Sequence, residues 1–418
     1  MRKNFIRVSA CRICGNKNLV DIVDLGEQYL TGIFPIKDET LLLTKGPLQL
    51  VKCHGNEKDS CGLVQLRNSF YPEEMYGANY GYRSGLNPSM VEHLSGKIHS
   101  ILKRANLNPG DIVLDIGSND GTSLAAYPDN LVRVGIDPAG RKFNKYYPSG
   151  AILITEFFSA NLLNIHFPEQ KIKVITSFSM MYDLEDPQGF VNEIASLLDV
   201  ETGLWVFEQS YLPTMLEQLS FDTICHEHIE YYCLKQINWL LERANLRVVD
   251  VEFNNINGGS FSVVAAHVNS QHKSKVGQGE NALLLETTLG LDSIDIYVKF
   301  NKNILKVCDD LKEFLGSAKT EGKRVCAIGA STKGNVLLQY CEITEKDIEA
   351  IGEINPDKFG LVTPGTGIPI VNELDVLASK PDYLVVLPWH FRENFLLNPA
   401  YIGQNLVFPL PKLEIVKL

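Results

Sequence analysis

The segment that most restricts the fold is LDIGSNDGT (residues 114–122), which closes an apolar run at Ile112 to Ile116 and leads into helix-forming sequence. A strand that turns through glycine into a helix is the first half of a parallel crossover unit. Further apolar strand-like runs recur at residues 131–136, 151–154, 174–178 and 204–207, separated by helix-length segments. That alternation predicts a doubly wound parallel sheet with helices on both faces. A helical pattern from Pro88 (MVEHLSGKIHSILKRANL) precedes the first strand. Two runs at 246–253 and 261–267, joined by NNINGGS, read as antiparallel neighbours closing the sheet. A polar, linker-like stretch (270–281) and a long helical pattern (about 291–319) follow. A second strand–loop–helix series then begins at 324–328 and continues through 350–354 and 383–387. The expected class is therefore α/β with two Rossmann-like sheets.

The loop itself carries chemistry. Gly117 and Gly121 let backbone N–H groups approach a ligand closely, although the middle glycine of a dinucleotide fingerprint is absent. Twenty-two residues after Asp115 the next strand ends in VGIDPAG, placing the Asp137 carboxylate where it can accept two ribose hydroxyls. With TEFFSA (155–160) to follow, the pattern points to S-adenosylmethionine held by Asp115, Gly117, Asn119, Gly121 and Asp137, with Phe157 or Phe158 against the adenine. The plainer alternative makes Asp115 a turn cap and the phenylalanines core.

Composition excludes several partners. Lys plus Arg number 39 against 50 Asp plus Glu, a net charge of −11 over 418 residues with no long basic run, which disfavours nucleic acid and anionic membrane. No apolar run approaches the ~18 residues of a membrane span, and the N-terminus lacks a signal-peptide core, so a cytoplasmic location is expected.

Nine cysteines make an odd count, and four of them fall in the first 61 residues. Cys11 and Cys14 form a C-x2-C turn followed by Gly15, a geometry that points two thiolates at one ion. Cys53 and Cys61, seven residues apart, supply the second pair of a structural zinc site, with His54 as a rival fourth ligand. Residues 1 to about 75 otherwise hold short β-like runs and turns, which suits a metal-stabilised module. The other five cysteines sit singly and read as small buried hydrophobes.

Taken together, the N-terminal cysteines, YGANYGYRSG (76–85), DIGSNDG, CHEHIEYY (225–232) and CAIGASTKGNVLLQY (326–340) give the chain a resemblance, nearly end to end, to the nucleotide-sugar C-methyltransferases. The resemblance implies a zinc-binding domain (1–75), a central methyltransferase domain (76–270) and a C-terminal α/β domain (271–418) that grips a nucleotide-linked keto-deoxysugar. It implies methylation of C3 of a GDP- or dTDP-linked 4-keto-6-deoxysugar, by a monomer or weak dimer. Members of that family carry a tyrosine ahead of His-Glu-His, where this chain has Cys225, and a histidine where it has Asp183.

Methylating a sugar carbon requires its C–H to be removed as an enolate, hence a base, a donor at the ketone oxygen and a positioned methyl source. His228 is the expected base, with Glu227 orienting it or sharing the role and His226 a further candidate. Tyr80 is the expected donor, and Tyr76 and Tyr82 are expected against the sugar. In the C-terminal domain GASTKGN offers Ser331, Thr332, Lys333 and Asn335 to a diphosphate, and Glu353, closing the next strand, could reach ribose or base. O- or N-methylation of a similar sugar, and a non-catalytic zinc-stabilised nucleotide-binding protein, are the competing readings.

Overall fold

The computed structural model describes residues 5–37, 43–56, 60–75, 82–275 and 277–418. Its centre is a seven-stranded sheet. We label its strands in chain order β1 (Ile112–Ile116), β2 (Val132–Ile136), β3 (Ile152–Ile154), β4 (Val174–Phe178), β5 (Leu204–Ser210), β6 (Leu246–Asn254) and β7 (Ser260–His267). Their spatial order is β6-β7-β5-β4-β1-β2-β3, parallel except for β7, which is antiparallel to both β5 and β6. Every residue of β1 is buried, as a parallel strand covered on both faces requires. The NNINGGS turn does join antiparallel neighbours, with Asn257, Gly258 and Gly259 all at positive φ.

Ahead of the sheet, Asn87 accepts a hydrogen bond from Ser89 N and Pro88 opens a helix to Arg104. Met90, Leu94, Ile98 and Ile101, spaced by three or four, form its buried stripe. Ile98 and Ile101 pack on one face of the central sheet with Val113, Leu204 and Val264.

A four-stranded antiparallel sheet forms at the N-terminal end from Leu19–Tyr29, Lys45–Cys53 and Val64–Leu66, and its fourth strand is Glu230–Tyr231. The segment that follows His-Glu-His is thus an edge strand of the N-terminal sheet. The eleven-residue strand Leu19–Tyr29 has no counterpart in the sequence expectations. Its Asp and Glu residues, several of them solvent-facing, break up the apolar signal.

The C-terminal sheet has six strands in the order Ile370–Asn372, Ile351–Glu353, Val325–Ile328, Tyr383–Val386, Asn405–Phe408 and Glu414–Lys417, parallel except for the last. The expected long helix is Asp295–Thr320, buried along Tyr297, Phe300, Ile304, Val307, Cys308, Leu311, Leu315 and Ala318. The stretch expected to be a linker begins a second helix, Gln278–Thr288. It is held by a single carboxylate. Glu286 accepts from Tyr211 OH (2.9 Å) and from the backbone N–H groups of Leu234 (2.7 Å) and Lys235 (3.1 Å), capping the helix Leu234–Arg243.

One core joins the two ends of the chain. Leu48, Leu50 and Leu66 of the N-terminal sheet share a continuous apolar cluster with Phe221, Ile224, Ile304 and Val336. Burying each of these leucines contributes about 1.5–3 kcal/mol. No helix among the described residues is long and apolar enough to cross a membrane.

Candidate functional site

The four N-terminal cysteines meet. Cys11, Cys14, Cys53 and Cys61 bring their sulfurs within 4.8 Å of one another, with Cys11–Cys61 at 3.4 Å and Cys14–Cys53 at 3.5 Å. Tetrahedral zinc with bonds of ~2.3 Å needs sulfurs about 3.8 Å apart, so the donor set fits the ion. Gly15, at φ 73°, turns the chain so that its N–H reaches Cys11 O at 2.9 Å. Hydrogen bonds shared among the four thiols push Cys14 and Cys53 down and Cys11 and Cys61 up. His54 is not part of the cluster. The other five cysteines are buried, as expected.

In the glycine loop, Gly117 (φ 71°) and Gly121 (φ 78°) hold left-handed conformations. Asp137 accepts from Asn119 N at 2.8 Å and from Ala139 N at 2.7 Å, so the same carboxylate that can meet ribose also sets the loop. Asp115 lies beneath the loop, bonded to Thr176 Oγ1 at 2.6 Å, and burial pushes its carboxyl up to about 7. It supports the cradle from behind. The Asn119 side chain braces the preceding segment, donating to Tyr82 O and accepting from Ser84 N. Two residues the motif reading missed also shape the loop. Asp120 accepts from Gly85 N at 2.9 Å, and Tyr147 OH lies 2.7 Å from Ser118 Oγ. Phe158 packs edge-on against Phe190 at 5.2 Å, whereas Phe157 is 53% exposed and free to cover an adenine. The residues present fit a nucleoside cofactor.

The turn Met181–Asp183 leaves the end of β4 beside this cradle: a Cβ on Gly117 would sit 3.3 Å from Met180 Cγ. Tyr182 then lies against the His228 ring, centroids 4.3 Å apart, and its carbonyl accepts from Ile229 N at 2.9 Å. His228 Nδ1 lies 3.1 Å from the Thr223 carbonyl oxygen, which can only accept. Nδ1 therefore carries the ring proton and Nε2 keeps its lone pair. Burial, then the nearby Lys333 ammonium, lowers His228 to about 4, so the imidazole is neutral at physiological pH. The backbone of Thr223 thus orients the ring. Glu227 points towards the N-terminal domain, where a Cβ on Gly32 would collide with its carboxyl, and towards Thr332. Burial pushes it up to about 7. The two departures from the resembling family stand together: Cys225 bonds Glu227, and the charges of Glu227 and Asp183 help burial to raise the thiol.

His226 turns the other way. It is 1% exposed, edge-on to Phe70 at 4.6 Å, and neither ring nitrogen makes a well-formed hydrogen bond. The structure places it in the interior of the N-terminal sheet, because the chain bends at His226 and Glu227, His228 N donating to Cys225 O at 3.2 Å, so that the two histidines leave the bend in different directions. Tyr76 and Tyr80 lie outside the described residues. Tyr82 is half exposed, beside the glycine loop.

From the C-terminal domain, Ser331 caps the helix Thr332–Tyr340 through Gly334 N (3.0 Å). Asn335 is buried, donates to Thr31 O at 2.7 Å and leaves Oδ1 unpaired among the described residues. Lys333 reaches across to Asn257 O in the β6–β7 turn at 2.8 Å. Nearby, Asp222 is 1% exposed and accepts from Trp389 Nε1 at 2.8 Å. The signal that could have found Trp389 is its place just past the parallel strand Tyr383–Val386. Glu353 is turned into its own loop, accepting from Ile354 N and Asn355 N, because the strand ends there with unpaired amides to satisfy.

Three family models match successive parts of the chain. Residues 11–76 match the family described as "Putative zinc binding domain", 90–251 "Methyltransferase domain" and 255–411 "C-methyltransferase C-terminal domain". The chain is 28% identical over 415 residues to the C-methyltransferase NovU of Streptomyces niveus, covering 98% of this chain and 97% of that one. Among solved structures, an S-adenosylmethionine-dependent methyltransferase from Clostridium acetobutylicum aligns with 15% identity, 42% of this chain, 92% of that chain and a TM-score of 0.34. Magnesium protoporphyrin IX methyltransferase from Synechocystis aligns with 12% identity, 43% of this chain, 78% of that chain and a TM-score of 0.30. The family matches run in order along nearly the whole chain, and with the cysteine cluster and the nucleoside cradle they make it an S-adenosylmethionine-dependent methyltransferase, similar along its length to a C-methyltransferase.

Proposed function

We propose that the protein methylates C3 of a nucleotide-linked 4-keto-6-deoxysugar through an enolate. The observation that carries this reading is His228, a neutral imidazole fixed through Nδ1 by the Thr223 carbonyl. Tyr182 of the β4 turn lies against its ring, and the adjacent Glu227 faces the N-terminal Gly32 segment, itself close to Thr332. Such a base suits removal of a proton from carbon next to a ketone, where O- or N-methylation needs no carbon base. S-adenosylmethionine, held by the loop around Gly117 and Gly121 with Asp137, supplies an electrophilic methyl when bound.

The remaining work belongs to the chain. His228 Nε2 takes the C3 proton, and the electron pair of the C–H bond passes into the enolate. Lys333 carries positive charge near that base, at a helix start whose amides suit a diphosphate. Zinc, if bound by the four cysteines, holds the N-terminal module together.

The test incubates the enzyme with S-adenosylhomocysteine and a panel of GDP- and dTDP-linked 4-keto-6-deoxysugars in deuterated buffer. One deuterium should enter at C3, and His228→Gln should slow its entry by about 10²–10⁴. With S-adenosylmethionine, the product should show a new C–CH3 proton signal. A methylated oxygen or nitrogen instead would overturn the reading.

A further inference from the structure

A proton removed from carbon inside a closed cleft returns to that carbon unless something carries it off. Glu230 has the position to do so. It is 1% exposed, accepts from Tyr232 OH through Oε2 at 2.5 Å, and has no partner for Oε1 among the described residues. An unpaired carboxyl oxygen in a protein interior is costly and calls for an occupant. Glu230 and His228 line one small cavity, together with Tyr182, Ser210, Thr223 and Tyr231, and it has room for about one water.

We propose that Glu230 is a relay carboxylate: through one water in this shared cavity it receives the proton that His228 removes from the sugar carbon. The proposal rests on the enolate reading above. The C–H bond breaks and its electron pair stays on the substrate, while the proton bonds to Nε2. The imidazolium N–H then breaks towards the water as one O–H of that water breaks towards Oε1. Neutral His228, an intact water and the carboxylic acid of Glu230 result, and no further reactant is consumed.

The energetics run in the required direction. Burial raises Glu230 to about 8, whereas His228 sits near 4, so the imidazolium is the stronger acid; Glu230 accepts only in its ionised form, so deuterium uptake should rise as pH climbs through about 8. The groups facing the carboxyl are Arg12 from the cysteine turn, Glu185 and Asp186 from the loop after β4, and Tyr232 on its own segment. Arg12 and Tyr232 lower it; the two carboxylates raise it.

The experiment compares two rates in wild type and Glu230→Gln: deuterium uptake at C3 with S-adenosylhomocysteine bound, and a single turnover of methyl transfer with S-adenosylmethionine. The relay requires uptake to fall in Glu230→Gln at least tenfold more than single-turnover transfer does. Glu230→Asp should restore part of the uptake. Unchanged S-adenosylmethionine affinity and metal content would report an intact fold. Equal losses in both rates would make Glu230 a structural residue and overturn the relay, as would no change in either. Wild type that methylates carbon without taking up deuterium would also overturn it. Wild type that methylates no keto-sugar nucleotide would instead refute the enolate reading, and the relay with it.

Discussion

His228 and Glu227 are chain neighbours, yet burial moves them in opposite directions, the base to about 4 and the acid to about 7, because each is driven towards its neutral form. A lowered histidine stays deprotonated, and so competent as a base, at every pH above its shifted value. C3 exchange should therefore not fall on the acid side through His228 until about pH 5. An inflection near pH 7 belongs to Glu227 if a pH–rate series on Glu227→Gln lacks it while keeping the lower limb, whereas one near pH 8 that is lost in Glu230→Gln belongs to Glu230. If Glu227→Gln abolishes exchange at all pH and His228→Gln does not, the carboxylate is the base. Asp137 offers a second residue-level test. Because both its oxygens already take loop N–H groups, Asp137→Ala removes a ribose acceptor and a loop anchor together. Titration calorimetry should show S-adenosylmethionine binding weakened by about 1–3 kcal/mol.

At the level of elements, the pairing of Val64–Leu66 with Glu230–Tyr231 ties the metal module to the reacting loop. Arg12 adds a second tie, donating through Nε to Glu185 at 3.2 Å and through Nη1 to Leu66 O at 2.8 Å. Losing zinc should consequently disturb methyl transfer before it disturbs the cofactor cradle, which stands on β1 and β2. Cys61→Ser should lose metal in elemental analysis and cut methyl transfer at least tenfold, while S-adenosylmethionine affinity changes less than threefold. His54→Ala should keep both metal and activity, since His54 lies outside the sulfur cluster. Metal loss in His54→Ala with retention in Cys61→Ser would reverse the ligand assignment.

Across the whole molecule, the site is assembled from three regions that together span just over 300 residues of sequence: Thr31 and Gly32, residues 182–228, and Ser331 to Asn335. Lys333 shows the consequence. It extends from the C-terminal domain to Asn257 in the central one, and its charge disfavours the imidazolium of His228. Removing that charge should raise the pKa of His228. In Lys333→Ala the acid limb of C3 exchange should move to higher pH, and affinity for the sugar nucleotide should fall while that for S-adenosylmethionine holds. An unmoved acid limb would show that Lys333 acts on the substrate alone.

Much of this was legible in the chain because it is local. The strand–glycine–helix of residues 112–122, the acidic strand end at Asp137 and the C-x2-C turn each write their geometry into a few consecutive residues, since φ > 0 favours glycine and a buried parallel strand favours a nearly continuous apolar run. The strand Leu19–Tyr29 and the helix Gln278–Thr288 were not legible, because their stability comes from partners elsewhere in the chain. The same limit applies to the site. HEH names three candidates, but tertiary structure turned His226 into the N-terminal sheet and gave His228 a backbone carbonyl as its orienting group. It also set Glu230 on the wall of the His228 cavity. Burial and contact between distant residues decide which side chains share a cleft, and neither quantity exists until the chain has folded.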